Sequence, residues 1–202
     1  QHFGTPNYAA HGGFCSVNMA AAGIYTMGGA FWEFGQPDWD HTKLFMLFGV
    51  AEDHDSNPIK MGIGKIKERG ARVIGVNPIR TGYNAVADDW VGITPGTDGL
   101  FILALVHELM KAGKIDLEYL AQYTNAPVLV DADTGLLMRD EAGKELVIDR
   151  NTGKLTPFDQ KGVRPDLSAS HRHAGVTHKP VFHLMAERYL SEEYAPEAVA
   201  ER

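Results

Sequence analysis

The sequence has a single cysteine, Cys15, among 202 residues. An internal disulfide needs two cysteines and a cysteine-bound iron–sulfur cluster needs several, so neither is expected within this chain. Long apolar runs are also missing. The richest run, residues 44–50, has the length of a strand and is far shorter than the roughly 18 residues that a membrane-spanning helix requires. The sequence therefore predicts no direct membrane span.

Positive charge is scarce as well. The chain has 19 Lys and Arg against 26 Asp and Glu, a formal net charge of −7, and its basic residues are scattered. A nucleic-acid groove requires a basic patch, so we expect no nucleic-acid partner. The hydrophobic content of 44% and the charged content of 22% are typical of a soluble globular protein, and the length suits one α/β domain with or without an insertion.

An initiator methionine and a signal peptide are absent too. The chain begins Gln1-His2-Phe3, and its last residues, 196–202, have the pattern of a helix that is still running. We therefore expect a segment from within a longer protein. The lack of a targeting signal in such a segment says nothing about its location in the cell.

Short apolar runs alternate with helical patterns in the first half of the chain. Residues 43–48 and 72–76 are continuous apolar runs, which are typical of strands buried on both faces of a parallel sheet. Residues 59–70 between them are amphipathic and predict a helix. A third short strand is predicted over residues 90–93 and a long helix over residues 97–112. This order indicates crossover units, and we expect an α/β fold with a doubly wound, mainly parallel sheet.

The pattern changes at residue 127. Short strands separated by glycine-containing turns are predicted up to residue 165, which indicates a β-hairpin excursion from the α/β core. We expect three parts of one truncated domain: a core over residues 1–126, the excursion over residues 127–165, and a helical return over residues 166–202. The strands of the excursion are predicted at residues 128–130, 136–139 and 145–149, and further helices at residues 15–29, 116–123 and 179–193.

Three loops follow predicted strands at their carboxyl ends, where an open α/β sheet binds ligands. The first begins at Gly49, which lets the backbone approach a ligand closely. It leads to Pro58 at the start of a helix whose free N–H groups suit a phosphate. The second loop, residues 76–81, offers Arg80 and Thr81 as donors to phosphate or ribose oxygens.

The third loop, Pro95-Gly96-Thr97-Asp98, ends in a carboxylate that can accept two hydrogen bonds from the N1–H and N2–H₂ edge of a guanine. Taken alone, each loop has an ordinary explanation. A strand followed by glycine, a loop and a helix occurs throughout α/β proteins, and a Pro-Gly-Thr-Asp turn commonly caps a helix. The occurrence of all three loops at strand ends is what favours a bound nucleotide.

Two stretches of the chain together resemble one protein family. They are Gly70-Ala-Arg-Val-Ile-Gly-Val-Asn-Pro-Ile-Arg-Thr81 and Ala87-Asp-Asp-Trp-Val-Gly-Ile-Thr-Pro-Gly-Thr-Asp98, and residues 180–188 and 194–201 fit the same pattern. The pattern is similar to that of the molybdopterin oxidoreductase, or dimethyl-sulfoxide-reductase, family. The resemblance covers about the whole chain except the hairpin region. It implies that the chain is part of a larger, multi-domain molybdoenzyme.

The resemblance also implies the cofactor, molybdenum bis(molybdopterin guanine dinucleotide), whose dinucleotide tail the three loops contact in that family. Two positions depart from the family pattern. Ala51 stands where an Asn is frequent, and Asn77 stands where an Asp is common, which weakens a ribose contact although an amide still pairs with a hydroxyl. The implied cofactor-binding residues are Gly49, Val50, Ala51, Glu52, Asn77, Pro78, Arg80, Thr81, Gly96, Thr97 and Asp98.

Cys15 has two interpretations. A lone cysteine is usually a small buried hydrophobe. The family, however, places its protein ligand to molybdenum just before a helix of small residues that ends in glycine. Cys15 and residues 16–23 look like that segment, one residue longer than the usual spacing. A thiolate suits a metal that dithiolene sulfurs already hold. The resemblance thus implies Cys15 as the catalytic metal ligand, with Ser16 as the alternative.

The residue after the ligand bears on the substrate. Formate dehydrogenases of this family have a His there, and this chain has Ser16, so formate is disfavoured. Residues 11–15 and 31–38 resemble the catalytic subunits of sulfite-oxidising membrane complexes. This resemblance implies a two-electron reaction on a small oxyanion, with sulfite favoured over nitrate, polysulfide or thiosulfate.

Partners and location follow from the same resemblance. The resemblance implies a 4Fe–4S cluster, and since this segment has one cysteine, we expect the cluster in another part of the protein. The expected partners are an iron–sulfur electron-transfer subunit together with a membrane anchor subunit. The resemblance leaves the cellular location open. It favours a cytoplasmic protein that those subunits hold at the membrane.

Three other interpretations compete with this one. A nicotinamide-binding module is disfavoured because no G-x-G-x-x-G follows a strand, and Gly62-x-Gly64 lies in a predicted helix. A cofactor-free structural paralogue stays open, although Cys15 and the three loops argue against it. A hydrolytic metal site is disfavoured because its histidines match no ligand spacing and lie in a basic segment. Its candidate ligands are His171, His173, His178 and His183 with Glu52, Asp53, His54 and Asp55.

Overall fold

The computed structural model of the chain describes residues 4, 6, 12, 16–27, 37–49, 59–80 and 82–202. Backbone contacts divide the chain into two units. The first unit consists of Gln1–Gly75 and Arg80–Trp90, and the second of Val76–Ile79 and Val91–Arg202. The last residues of two strands, Val76 and Val91, therefore belong to the second unit.

A three-stranded parallel sheet forms the frame of the first unit, with the strand order β1-β2-β3. The continuous apolar runs of its strands suit a parallel sheet covered by helices. The α/β class and the three predicted strands are confirmed, the third at residues 89–91 rather than 90–93. The elements are α1 (Ser16–Met27), β1 (Leu44–Phe48), α2 (Ile59–Glu68), β2 (Arg72–Val76), α3 (Tyr83–Val86) and β3 (Asp89–Val91).

One hydrophobic cluster joins helices α2 and α3 of this unit to its sheet. The predicted apolar face of α2 is confirmed, since Ile63 and Ile66 are buried and Ile59 packs against them. From β2, the buried side chain of Val73 belongs to the same cluster. The buried members are Leu47, Ile63, Ile66, Ala71, Val73, Tyr83 and Ala87. Their burial is the main stabilising contribution to this unit.

Gly62 lies on the buried face of α2 for a steric reason. A Cβ at this position would lie 2.6 Å from the indole ring of Trp39, far inside van der Waals contact. The ring also packs against Phe45, with a centroid distance of 5.3 Å. Arg69 holds the backbone beneath the ring by donating hydrogen bonds to the carbonyls of Trp39 and Thr42. Gly62 thus has a packing role, and the Gly62-x-Gly64 pair lies within a helix rather than in a phosphate-binding loop.

The second unit combines helices with antiparallel strands. Its helices are α4 (Asp98–Lys111), α5 (Leu117–Tyr123), α6 (Val181–Tyr189) and α7 (Pro196–Ala200), with a 3₁₀ turn at Glu192–Tyr194. His107 of α4, only 2% exposed, hydrogen-bonds through Nδ1 to the carbonyl of Tyr189 at 2.8 Å. Asp116 caps α5 by accepting a hydrogen bond from the amide of Tyr119.

The strands of the second unit form two small sheets. One has the order β4-β8-β7 and the other pairs β5 with β6, and every pair is antiparallel. The strands are β4 (Leu129–Asp131), β5 (Leu146–Ile148), β6 (Leu155–Pro157), β7 (His171–His173) and β8 (Val176–Pro180). The predicted strand at residues 136–139 is wrong, because only isolated bridges, Val130 to Leu137 and Arg139 to Glu145, form there.

The hairpin of β7 and β8 was not predicted. Its turn places Ala174 at φ 49° and Gly175 at φ 85°, so both central residues adopt positive φ, as two-residue hairpin turns require. Alanine rarely adopts that conformation, so the sequence lacks the usual Asn-Gly signal. The helix predicted from residue 179 begins instead at Val181, because Pro180 pairs with Leu129 in the sheet. The division of the chain at residues 126 and 165 stays a prediction.

The helices of the second unit are short compared with a membrane-spanning helix. Its longest helix, α4, has 14 residues, against the roughly 20 residues that span a bilayer. In the part of the chain that the structure describes, no helix meets both the length and the apolar character needed to cross a membrane.

We expect Gly62→Ala to destabilise the protein by about 1–3 kcal/mol, because the new methyl group overpacks the contact with Trp39. Gly64→Ala is the matched control. It lies in the same helix with nothing within 4 Å of its Cβ, and should stabilise by up to about 1 kcal/mol through helix propensity. Denaturant unfolding of the full-length protein measures both. Equal stability of the two variants would contradict the packing role of Gly62.

Candidate functional site

The first predicted loop leaves strand β1 at Gly49. This glycine is exposed and has φ 67°, a left-handed conformation that glycine adopts without strain. Among the described residues, no atom lies within 4 Å of the position that a Cβ would take, so the backbone there is open to a ligand. The other predicted members of this loop, Val50, Ala51 and Glu52, lie outside the described residues.

The second loop begins at Asn77, which is only 6% exposed. The backbone N–H of Asn77 donates a 3.1 Å hydrogen bond to the carbonyl of Val91. This bond continues the pairing of β2 with β3 by one residue. Asn77 therefore has a structural role whether or not its side chain reaches a ribose. Pro78 and Arg80 are exposed, and Thr81 lies outside the described residues.

Arg80 is the cation of the second loop. Within residues 59–80 and 82–202 no carboxylate pairs with its guanidinium, so the charge remains available to an anion. A guanidinium presents donors in a planar fork that matches two phosphate oxygens. The position is thus suited to phosphate recognition.

Asp88 and Asp89 of the family-like sequence pattern have structural roles that the sequence did not indicate. The carboxylate of Asp88 accepts hydrogen bonds from the amide of Val73 at 2.8 Å and from Nζ of Lys67 at 2.7 Å. Its own amide donates to the carbonyl of Val73 at 2.8 Å. Asp89 pairs with Arg72 at 2.6 Å. Both carboxylates thus attach the beginning of β3 to β2.

The electrostatics of Asp88 follow from these contacts. The hydrogen bond from Lys67, aided by the one from the Val73 amide, holds the pKa of the Asp88 carboxyl below its usual value. Hydrogen bonds to the ionised form favour that form. Asp88 is therefore ionised at neutral pH and occupied by structural partners, so we do not count it among the candidate ligand-binding groups.

The third loop turns at Gly96, with φ 89°, into helix α4. Thr97 occupies the N-cap position, and its hydroxyl donates to the carbonyl of Thr94 at 2.7 Å rather than capping the helix. Asp98 is the first helical residue. The Pro-Gly-Thr-Asp turn thus leads into α4, with Thr97 rather than Asp98 at the N-cap position.

The carboxylate of Asp98 is half-buried at the start of α4. The hydrogen bonds and ion pairs of the described residues include none to this carboxylate. A negative charge in the first turn is favoured by the helix dipole. The third loop thus presents a hydrogen-bond acceptor at the start of α4. Thr97 also lines a cavity of about 390 Å³ in the second unit, together with Ile93 and Phe101.

Cys15 lies outside the described residues, but the helix expected after it is confirmed. Helix α1 begins at Ser16, the next residue. Three apolar side chains of this helix, those of Val17, Ile24 and Tyr25, are exposed. Gly23 is buried. The role of Cys15 as metal ligand, and of Ser16 as its alternative, stays a prediction.

The histidines near the end of the chain have ordinary partners. His171 and His173 stack with a centroid distance of 6.3 Å, and His178 is the strand partner of His171. His183 contacts the carbonyl of Ser168 at 2.9 Å and Glu187 at 3.2 Å. Among the described residues, no three His, Cys, Asp or Glu side chains are grouped as metal ligands. Residues 52–55, the other half of the hydrolytic-site hypothesis, lie outside that part of the chain.

Comparison with known proteins gives several relatives, although no family model matches the chain. A sulfite dehydrogenase subunit from Allochromatium vinosum is 48% identical, over 99% of this chain and 22% of that protein. The molybdopterin-containing subunit of Salmonella typhimurium thiosulfate reductase is 27% identical, over 61% of this chain and 16% of its own length. The alpha subunit of Dechloromonas aromatica perchlorate reductase is 26% identical, over 65% of this chain and 15% of its own length. The chain spans about a fifth or less of the length of these relatives.

Proposed function

We propose that this chain is a segment of the catalytic subunit of a molybdopterin oxidoreductase, as its relatives are. The observation that carries the proposal is the 48% identity to the Allochromatium vinosum sulfite dehydrogenase over 99% of the chain. The parallel three-stranded sheet is then one part of a doubly wound domain whose remaining strands lie elsewhere in the protein.

Two described residues, each considered by itself, support a guanine dinucleotide as the ligand. The half-buried Asp98 carboxylate matches the N1–H and N2–H₂ donors of guanine, and the exposed Arg80 guanidinium matches a phosphate. Gly49 and Gly96 have positive φ with open space at the Cβ position, so backbone can approach a ligand there. These donors and acceptors support molybdenum bis(molybdopterin guanine dinucleotide) as the cofactor.

When bound, this cofactor supplies two-electron chemistry and oxygen-atom transfer at molybdenum, and the protein binds and orients it. In this proposal Asp98 recognises the guanine edge, and Arg80 neutralises phosphate charge. Cys15 supplies the protein ligand to the metal, and Ser16 follows it in place of the His of formate dehydrogenases.

Sulfite is the substrate that we propose, with oxidation as the direction. Support comes from the 48% identity to the sulfite dehydrogenase, which exceeds the 27% and 26% found with the thiosulfate and perchlorate reductases. Because that relative is one component of a multi-subunit complex, we propose that an iron–sulfur electron-transfer subunit together with a membrane anchor subunit completes the enzyme. A 4Fe–4S cluster in another part of the protein would carry the electrons away.

The full-length protein should contain molybdenum and release a guanine nucleotide when its cofactor is hydrolysed in acid. The reason is the presence of Arg80 and Asp98 at strand ends that suit a phosphate and a guanine. Metal analysis and chromatography of the released nucleotide measure both. An adenine nucleotide, or a protein purified from a molybdenum-replete culture without the metal, would refute the proposal and favour the structural paralogue.

Asp98→Ala should lower cofactor affinity about tenfold to a hundredfold, because a charge-assisted hydrogen-bonded pair contributes roughly 1.5–3 kcal/mol. The fold should be retained, since Asp98 is not the cap of α4. Cofactor occupancy is measured at limiting cofactor supply. Asp116→Ala is the matched control: it removes a true cap of α5 and costs about 1 kcal/mol of stability, with occupancy unchanged. Equal occupancy in both variants would remove Asp98 from the binding site.

Cys15→Ala should abolish turnover and leave the dinucleotide bound, because the pterin tails hold the cofactor independently of the protein ligand to the metal. Cys15→Ser is the finer test, since an alkoxide still coordinates but alters the electronic spectrum of the metal. Sulfite oxidation, nucleotide content and the molybdenum spectrum are measured together. Wild-type turnover with an unchanged spectrum in Cys15→Ala would make Cys15 a core residue.

A further inference from the structure

Asn84 and Gly75 form a close steric pair in the first unit. A Cβ on Gly75 would lie 1.9 Å from Oδ1 of Asn84, 2.8 Å from its Cγ and 3.2 Å from its Cα. The Asn84 side chain thus fills the space that any other residue at position 75 would need. Its exposed fraction is 0%, in spite of its polar amide. Every substitution of Gly75 must therefore displace Asn84.

This pair fixes the short helix α3 on strand β2. Tyr83, the first residue of α3, is 3% exposed and belongs to the same hydrophobic cluster as Val73 of β2. Nζ of Lys67 donates a 2.8 Å hydrogen bond to the carbonyl of Val86, the last residue of α3. The helix has only one turn and would not be stable without such contacts.

Arg80 lies between these two fixed elements. The chain leaves β2 after residue 76 and returns at Gly82, whose φ of 54° and ψ of −130° suit glycine and set the direction of entry into α3. The amide of Ala85 donates to the carbonyl of Gly82 at 3.0 Å, so the turn continues into the helix. Gly82 thus leads directly into α3, and the contact of Asn84 with Gly75 holds α3 against β2.

We propose that Asn84 is a positioning residue for Arg80, holding the return of the second loop so that the guanidinium is preorganised for a phosphate of the dinucleotide. The proposal rests on the proposed function, because it requires that Arg80 binds the cofactor. Preorganisation of a charged group lowers the entropic cost of binding, so its loss reduces affinity without removing any contact atom. Asn84 itself touches no ligand in this account.

The experiment uses the full-length protein at limiting cofactor, with released guanine nucleotide per protein as the readout. Variants are Arg80→Ala, Asn84→Ala and their combination, with Asn84→Ser as a milder change should Asn84→Ala not fold. We expect each single variant to lower cofactor affinity on the order of tenfold, and the double variant to lose no more than Arg80→Ala alone. Ile66→Val, at a position equally buried in the same unit, should lower the unfolding temperature with full occupancy.

The outcomes separate the inference from the function on which it rests. A wild-type protein without guanine nucleotide overturns both. If the wild type carries the nucleotide and Arg80→Ala loses it, while the Asn84 variants keep wild-type affinity, only the positioning role is overturned. If the affinity losses of the two single variants add up in the double variant, the positioning role is also overturned. Additive losses would mean that Asn84 acts independently of Arg80. An unchanged affinity in Arg80→Ala removes the group that Asn84 is inferred to position, and so overturns the inference as well.

Discussion

The pairing of strand β3 with strand β2 is the constraint on which the candidate site depends. Strand β3 has only three residues, and Asp88 adds contacts to its pairing with β2. Its carboxylate and its amide both bind the backbone of Val73, while Asp89 pairs with Arg72. One residue beyond β2, the amide of Asn77 donates to the carbonyl of Val91. The second loop follows β2 and the third loop follows β3. The residues that hold these two strands together therefore also fix where each loop begins.

Much of the fold follows from patterns that a single sequence contains. Apolar runs located the strands of the parallel sheet, and the period of Ile59, Ile63 and Ile66 located the buried face of α2. The hairpin of β7 and β8 was missed because its turn depends on Ala174 in a conformation that alanine rarely adopts. Helix α3 was missed because one turn carries no periodicity, and tertiary contacts of Tyr83 and Asn84 stabilise it instead.

The candidate site was less accessible to sequence reasoning than the fold. A Pro-Gly-Thr-Asp turn does not reveal which residue caps the helix, and the structure assigns that position to Thr97. The two aspartates before Trp90 belong to the family-like sequence pattern, and the structure shows that they hold strands together. The relatives act on different compounds by name while sharing this segment in part, as expected when the fold carries the cofactor and surrounding loops select the substrate.

Hydrogen exchange of the full-length protein, with and without its cofactor, tests the central claim most directly, because it reports each strand-end loop separately. The account predicts that the cofactor protects the amides of residues 48–58, 76–82 and 95–98 strongly. The turns at residues 131–135 and 149–153, which Asp131 and Asp149 hold by accepting backbone hydrogen bonds, should exchange equally in both states. Protection confined to other parts of the protein, with the three loops unchanged, would contradict the assignment of this segment to the dinucleotide.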